Sequence, residues 1–296
     1  MSEPMRLGII GVSGFIGRVL AQVAVKCGHT VVGFSRKPSS HPGDFEMRRF
    51  DPAAPLALEN LDVIINLAGE SIFGLWTPKN QKRIFDSRVD STRHLVNSLK
   101  TNKHAVRVLV NISAIGFYGN RGEEVLHEDS TPGEGFLADL AQAWEAEALK
   151  ATEIGVRVVT PRLGLVIGKD ERAMQILLPV FRFCLGGKLG SGRQWMSCIH
   201  VEDVAGMILV ALENDHIQGA VNAVMKEPVR NSEFTRILAK AVRRPAVFTT
   251  PGFILKTILG SMSHLLLDSY RVIPHQGTDY VYRFSTVEAA LANIVR

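Results

Sequence analysis

The stretch Arg6-Leu7-Gly8-Ile9-Ile10-Gly11-Val12-Ser13-Gly14-Phe15-Ile16-Gly17 constrains the fold more than any other. Leu7 to Ile10 is an apolar run that reads as a buried strand, and Arg18 to Lys26 reads as helix. The glycines at 11, 14 and 17 fall between the two. Gly11 allows a sharp turn out of the strand, Gly14 lets backbone N–H groups approach a phosphate, and Gly17 allows the helix to pack close. A pyrophosphate would sit at the helix N-terminus, where unpaired N–H groups and the helix dipole favour anions. The spacing alone is also that of a ligand-free tight turn. Its place between strand and helix makes Gly11, Ser13, Gly14, Phe15, Ile16 and Gly17 a dinucleotide-binding turn.

A second apolar strand, Thr30 to Phe34, runs into Ser35-Arg36-Lys37-Pro38. A dinucleotide fold usually places an acid here against the adenosine ribose. This chain has none. Ser35, Arg36 and Lys37 supply a hydroxyl and two cations, which suit a 2′-phosphate and hence NADP(H), the arginine also being able to stack on adenine. The alternative is a solvated basic turn. Phe45–Asp51 reads as a third strand and Leu56–Asn60 as a short helical link. The run Leu61 to Glu70 is a fourth strand ending in Leu67-Ala68-Gly69, whose small residues let a flat cofactor lie on the backbone.

Thr77 then caps a helix that has Pro78 in its first turn and runs to about Lys100. Its expected buried stripe is Ile84, Phe85, Val89, Leu95, Val96 and Leu99. A strand at Val106–Ile112, a helix at Glu134–Lys150 and a strand at Val156–Thr160 continue the alternation. The expectation is an α/β, Rossmann-type, doubly wound parallel sheet over residues 1–165, with 196–225 returning to it. Residues 166–296 would form a smaller, α-rich substrate-side region with a helical C-terminal extension.

Composition narrows the class. Apolar residues at 46% suffice for a large core, and 34 basic against 29 acidic residues give a net charge of +5 without a long basic block. That suits a phosphorylated ligand and gives nucleic acid no clustered face. Three separated cysteines, Cys27, Cys184 and Cys198, fit reduced thiols and a cytoplasmic protein. No membrane role has a sequence feature behind it. The apolar faces of the tail would pack on the substrate region or form a homodimer.

Gly11-x-x-Gly14-x-x-Gly17, Asn66-Leu67-Ala68-Gly69, Ser113…Tyr118-Gly119 and His200-Val201-Glu202-Asp203-Val204-Ala205 together resemble an extended short-chain dehydrogenase/reductase. Trp76-Thr77-Pro78-Lys79 to Asp86-Ser87-Arg88-Val89 narrows the likeness, as does the tail from Leu265-Leu266-Leu267 through Arg271-Val272-Ile273-Pro274 to Tyr282-Arg283-Phe284. These resemble the atypical, epimerase-like members of family 39, subfamily U, and their bacterial relatives. The resemblance implies NADP binding.

In that wider family a Tyr-x-x-x-Lys on the helix after strand five supplies the proton, the lysine lowering the tyrosine pKa. The corresponding stretch, Phe136-Leu137-Ala138-Asp139-Leu140-Ala141-Gln142-Ala143-Trp144-Glu145, contains neither residue, and Lys150 is too far along to replace the lysine. Leu137, Leu140 and Trp144 read as core. Ser113 and Tyr118 are the substitute catalytic hydroxyls, although the family counterpart of Tyr118 is structural. Arg88 stands where the family has an asparagine and would contact cofactor phosphate or ribose, or pair with a local acid. Glu70 is either a base or a solvated loop acid.

Leu177–Leu185 reads as a helix, and the Gly-rich 186–195 segment as a flexible lid. The arginine that grips a nucleotide-sugar diphosphate in the family falls here at Met196 or Ser197, with Arg193 and Trp195 nearby. His200 with Glu202 and Asp203 reads as a strand entering a helix, with acids in its first turn, rather than as a metal site. Asn231–Val242 reads as a helix capped by Asn231 or Ser232, followed by helical Pro251–Leu267 and Thr286–Val295. Two functions stay open. One is an NADP(H)-dependent oxidoreductase or epimerase-like enzyme with a non-standard proton donor, and the other a non-catalytic NADPH-sensing module.

Overall fold

Strands apolar along their whole length need cover on both faces, and a parallel sheet between helices provides it. The computed structural model describes residues 3–36, 45–51, 54–274 and 280–295. Its first half runs β1 (Arg6–Ile10), α1 (Phe15–Lys26), β2 (Thr30–Ser35), β3 (Glu46–Arg49), β4 (Val63–Asn66), α2 (Pro78–Thr101) and β5 (Val108–Asn111). Short β6 (Ser113–Ala114) and β7 (Val125–Leu126) lead to α3 (Phe136–Leu149), β8 (Arg157–Leu163), β9 (Leu165–Ile167) and α4 (Arg172–Arg182). Next come β10 (Gly187–Leu189), β11 (Trp195–Met196), β12 (Cys198–His200), α5 (Val201–Glu213), β13 (Gly219–Ala223) and β14 (Val229–Arg230). The order closes with α6 (Asn231–Val242), β15 (Phe248–Thr250), α7 (Gly252–Leu259), α8 (His264–Leu267), β16 (Arg271–Val272) and α9 (Val287–Val295).

The main sheet has the order β13-β8-β5-β4-β1-β2-β3, with β6 beside β8. Its pairings are parallel. The winding reverses between β1 and β4, so a crevice opens beyond their carboxyl ends, where open α/β sheets bind ligands. The glycine turn leaves β1 and Leu67-Ala68-Gly69 leaves β4, so both border that crevice. Residues 201–223 return to the sheet as α5, packed on α1, and as β13, paired with β8.

Local chemistry explains most boundaries. Thr77 Oγ1 accepts the Asn80 N–H at 3.3 Å and Pro78 takes the first turn of α2, as the sequence indicated. Ile84, Val89, Leu95, Val96 and Leu99 are buried, with Phe85 half-buried against the core. Leu56–Asn60 is not helical. Leu56 and Leu58 are both buried, a spacing of two that suits extended chain, and Asn60 adopts φ 57°. α4 begins earlier than expected because the Glu171 carboxylate caps the Ala173 and Met174 N–H groups, and it stops before Cys184 at φ 60°. Asn231 does not cap α6. Its side-chain oxygen accepts the Leu189 N–H at 2.9 Å and so ties the helix to β10.

The C-terminal segment is strapped to the sheet domain through a buried acid. Asp203, in the first turn of α5, is 0% exposed and accepts the Tyr280 hydroxyl at 2.8 Å and the N–H groups of Arg283 and Phe284 at 2.7 and 3.1 Å. Burial, and then the bond to Asp203, push the Tyr280 hydroxyl above its ordinary pKa. Asp203→Ala is expected to cost roughly 2–3 kcal/mol, because bonds to a charged acceptor are the stronger kind. Limited proteolysis within residues 280–295 should accelerate with it, and an unchanged cleavage rate would argue against the strap.

Candidate functional site

The turn after β1 closes on itself. The Gly14 N–H donates to Gly11 O at 2.9 Å, and Gly11 adopts φ +80°. A Cβ on Gly17 would lie 2.4 Å from Gly11 O and 2.7 Å from Val12 Cα, so only glycine lets α1 approach β1 this closely. Gly14 is the N-cap of α1, with no side-chain cap and no acid in the first turn. The N–H groups of Phe15, Ile16 and Gly17 therefore face the crevice end of a helix dipole without a protein carboxylate. Ser13 is exposed at the lip, its carbonyl accepting from Arg18 at 3.0 Å.

β2 carries Ser35 to the same edge, half-buried, with Arg36 exposed beyond it. Lys37 lies outside the described residues. On the other side of the switch point, Leu67 and Ala68 are half-buried and Gly69 is exposed. Asn66 holds this turn in shape. Its amide bonds Thr92 Oγ1 at 2.9 Å and Asn111 Oδ1 at 2.7 Å, and its oxygen accepts the Ala68 N–H at 3.2 Å.

Arg88 projects from α2 against the Gly69 backbone, where a Cβ would lie 3.0 Å from Cζ. Its guanidinium lies 5.4 Å from the Trp144 ring centre and donates to Ile84 O at 3.2 Å. Burial pulls its pKa down to about 10, with the nearby charge of Glu70 opposing. Glu70 itself is bound by Arg83 at 2.6 Å, which spends it in a loop ion pair. Among the described residues Arg88 has no carboxylate within ion-pair distance. A half-buried guanidinium without a counterion, beside a bare backbone turn, can receive an anion.

Ser113 and Tyr118, the sequence's two candidate hydroxyls, lie together inside one buried network rather than on the crevice. Ser113 Oγ donates to Glu145 Oε1 at 2.6 Å. Arg162 grips the same carboxylate twice, at 2.9 and 2.8 Å, and reaches the Tyr118 hydroxyl at 2.9 Å. Tyr118 in turn donates to Asn222 Oδ1 at 2.7 Å. Ser113 is 1% exposed and Tyr118 0%. Burial raises the Tyr118 pKa against the opposing pull of Arg162, which disfavours proton release near neutral pH. The geometry gives both side chains a positioning role.

Sequence reasoning missed Glu145, Arg162 and Asn222. The signal available was a glutamate one residue after Trp144, in line with the apolar side of the helix. Along α3, Leu137, Ala141 and Glu145 follow at intervals of four and so share a face. Leu137 abuts Gly116, Ala141 is buried and Glu145 enters the network. Trp144 is core, as expected, with its indole N–H donated to Thr92 at 2.9 Å.

The 186–195 segment is pinned, contrary to the lid expectation. β10 pairs with β15 and β11 with β14, while Gln194 bonds Leu189 O and Leu266 O at 3.1 and 3.0 Å. Trp195 donates to Glu123 at 2.9 Å and lies under Arg230, 4.1 Å from its ring centre. Arg193 is exposed, and its charge acts on Glu123, the carboxylate that Trp195 and Arg230 bind. His200 ends β12 and caps α5, its Nδ1 accepting the Glu202 N–H at 3.2 Å.

This sheet, with its glycine turn at the switch point, defines a dinucleotide-binding α/β protein. Residues 7–223 match the NAD dependent epimerase/dehydratase family, and the chain belongs to that family. Residues 250–294 match a domain of unknown function, DUF1731. The epimerase family protein YfhF of Bacillus subtilis is 36% identical over 98% of this chain and 98% of its own length. The epimerase family protein SDR39U1 of Mus musculus is 34% identical over 98% of this chain and 100% of its own. The crystal structure of human SDR39U1 (isoform 2) with NADPH has a TM-score of 0.89 at 32% identity, covering 98% of this chain and 99% of that one.

Proposed function

We propose that this protein binds NADP(H) in the β1/β4 crevice and acts as an oxidoreductase or epimerase-like enzyme on a small carbonyl or hydroxyl substrate, without a Tyr-x-x-x-Lys donor. The observation that carries the reading is Arg88, a half-buried cation set against the Gly69 backbone with, among the described residues, no carboxylate within ion-pair distance. The N–H groups at the start of α1 would hold the pyrophosphate, and Arg88 a phosphate or ribose oxygen. Leu67, Ala68 and Gly69 would give the flat cofactor its floor. Ser35 and Arg36, with Lys37 next in sequence, would receive a 2′-phosphate. The NADPH held by human SDR39U1 supports the choice of cofactor. NADPH, when bound, would supply a hydride, and with Ser113 and Tyr118 buried the proton would come from solvent water.

That same burial favours a second reading, an NADPH-sensing module without turnover. Equilibrium binding of NADPH and NADH to the wild type and to Arg36→Ala tests the reading common to both. The wild type is expected to prefer NADPH. Losing a charge-assisted contact of roughly 1.5–3 kcal/mol should weaken NADPH alone by about ten- to a hundred-fold. If neither nucleotide binds, both readings fail. NADPH oxidation across a panel of aldehydes and ketones then separates them, since turnover belongs only to the enzyme.

A further inference from the structure

The helix α7 reads Gly-Phe-Ile-Leu-Lys-Thr-Ile-Leu, yet none of its residues is buried. Phe253 and Ile258 are 71% and 65% exposed. Burying such side chains would be favourable, and no described residue does so. The neighbouring surface has the same character. Phe183 and Leu185, just past α4, and Val247 and Phe248, at β15, are also exposed. They form one face. β10 pairs with β15, Gly190 N–H donates to Thr250 O at 2.9 Å, and Arg244 reaches Arg182 O at 3.3 Å.

Charge on this face is mostly positive. The segments 172–201 and 234–267 contain nine Lys and Arg and no Asp or Glu. Arg182, Lys188, Arg236, Arg244 and Lys256 are exposed along the apolar surface. Of the bordering acids, Glu171 caps α4, Glu202 pairs with Arg283, Glu233 lies 3.7 Å from Arg236 and Asp268 2.9 Å from His264. Beside β15 lies a groove of about 380 Å³ whose lining includes Lys188, Ser232, Thr235, Arg236 and Thr249. Lys188 has no ion-pair partner among the described residues. The groove thus offers Lys188, the Arg236 guanidinium shared with Glu233, and three hydroxyls, next to protruding aromatic and aliphatic side chains.

We propose that this face docks on an anionic phospholipid bilayer, with α7 lying in the headgroup region and the groove receiving a lipid phosphate. Interfacial attachment needs apolar side chains that enter the acyl boundary and cations that meet anionic headgroups, and this face carries both. A second copy of the chain is a poorer occupant. A two-fold interface would set the cationic face against itself with few carboxylates to compensate, Glu233 being already paired with Arg236. The attachment is peripheral, since no helix among the described residues is long and apolar enough to cross a membrane. Sequence alone did not suggest it, because the fold assembles the face from two segments separated by α5 and β13.

Cosedimentation of the full chain with vesicles tests this, using phosphatidylcholine alone and phosphatidylcholine mixed with phosphatidylglycerol. Binding is expected to the mixed vesicles only, and to weaken as salt rises. Phe253→Glu with Ile258→Glu, and separately Lys188→Ala with Arg236→Ala, should each lower partitioning by at least about tenfold. Circular dichroism and NADPH binding should stay at wild-type values. Failure to bind mixed vesicles at low salt overturns the proposal, as does wild-type partitioning by both variants. A concentration-dependent dimer that Phe253→Glu dissolves would assign the face to a second copy and overturn it equally.

Discussion

Glu145→Ala is expected to destabilise the protein by about 3–5 kcal/mol, because it leaves a buried guanidinium without its counterion. Arg162 is 4% exposed and Glu145 6%, so water cannot replace the lost carboxylate. The remaining partners of Arg162 are neutral. They are the Tyr118 hydroxyl at 2.9 Å, Glu128 O at 3.1 Å and the Phe117 ring, whose centre lies 3.5 Å away. Burial alone would lower the Arg162 pKa, but the bonds and charge of Glu145 outweigh it and hold the guanidinium above its ordinary value. Ser113 also loses its acceptor. Urea unfolding at neutral pH measures the cost. The double variant Glu145→Leu with Arg162→Met should recover much of it, since replacing both charges removes the orphan as well as the pair. A single-variant loss below about 1 kcal/mol would mean that the network is hydrated and worth only what a surface pair is worth.

That network also shows where sequence reasoning stops. Elements declared by short-range chemistry were legible, such as the glycine turn, the Thr77-Pro78 helix start and the strand runs around Ile9, Ile64 and Leu109. Each is set by residues within a few positions of one another. Glu145, Arg162 and Asn222 come from α3, β8 and β13, and the spacing that sets Glu145 on the packed side of α3 does not name its partners on distant elements. The pinned 186–195 segment has the same cause. Its glycines suggest mobility, but residues 248–250 and 229–230 pair with it from far along the chain. Arg88 was legible as a departure from the family pattern. Its lack of a counterion was not, because that required knowing that Arg83 had already engaged Glu70.

Gly17→Ala is expected to weaken NADPH by at least about a hundredfold, equivalent to roughly 2.7 kcal/mol. In an unhindered helix position the same change would stabilise by about 1 kcal/mol through propensity. Here the added methyl meets Gly11 O at 2.4 Å, Val12 Cα at 2.7 Å and Val12 C at 2.9 Å. All three are backbone atoms, so no rotamer change relieves the clash and α1 must move away from β1. The N–H groups of its first turn move with it, and a displacement of a few tenths of an ångström degrades several short hydrogen bonds at once. Gly14→Ala is the internal control. Its methyl meets only Gly11 O, at 3.1 Å, which a small shift accommodates, so its loss should be well under that of Gly17→Ala. Titration calorimetry ranks the two, with circular dichroism to verify that each variant folds. Equal and small losses would place the pyrophosphate elsewhere and make Arg88 the anchor of a different ligand.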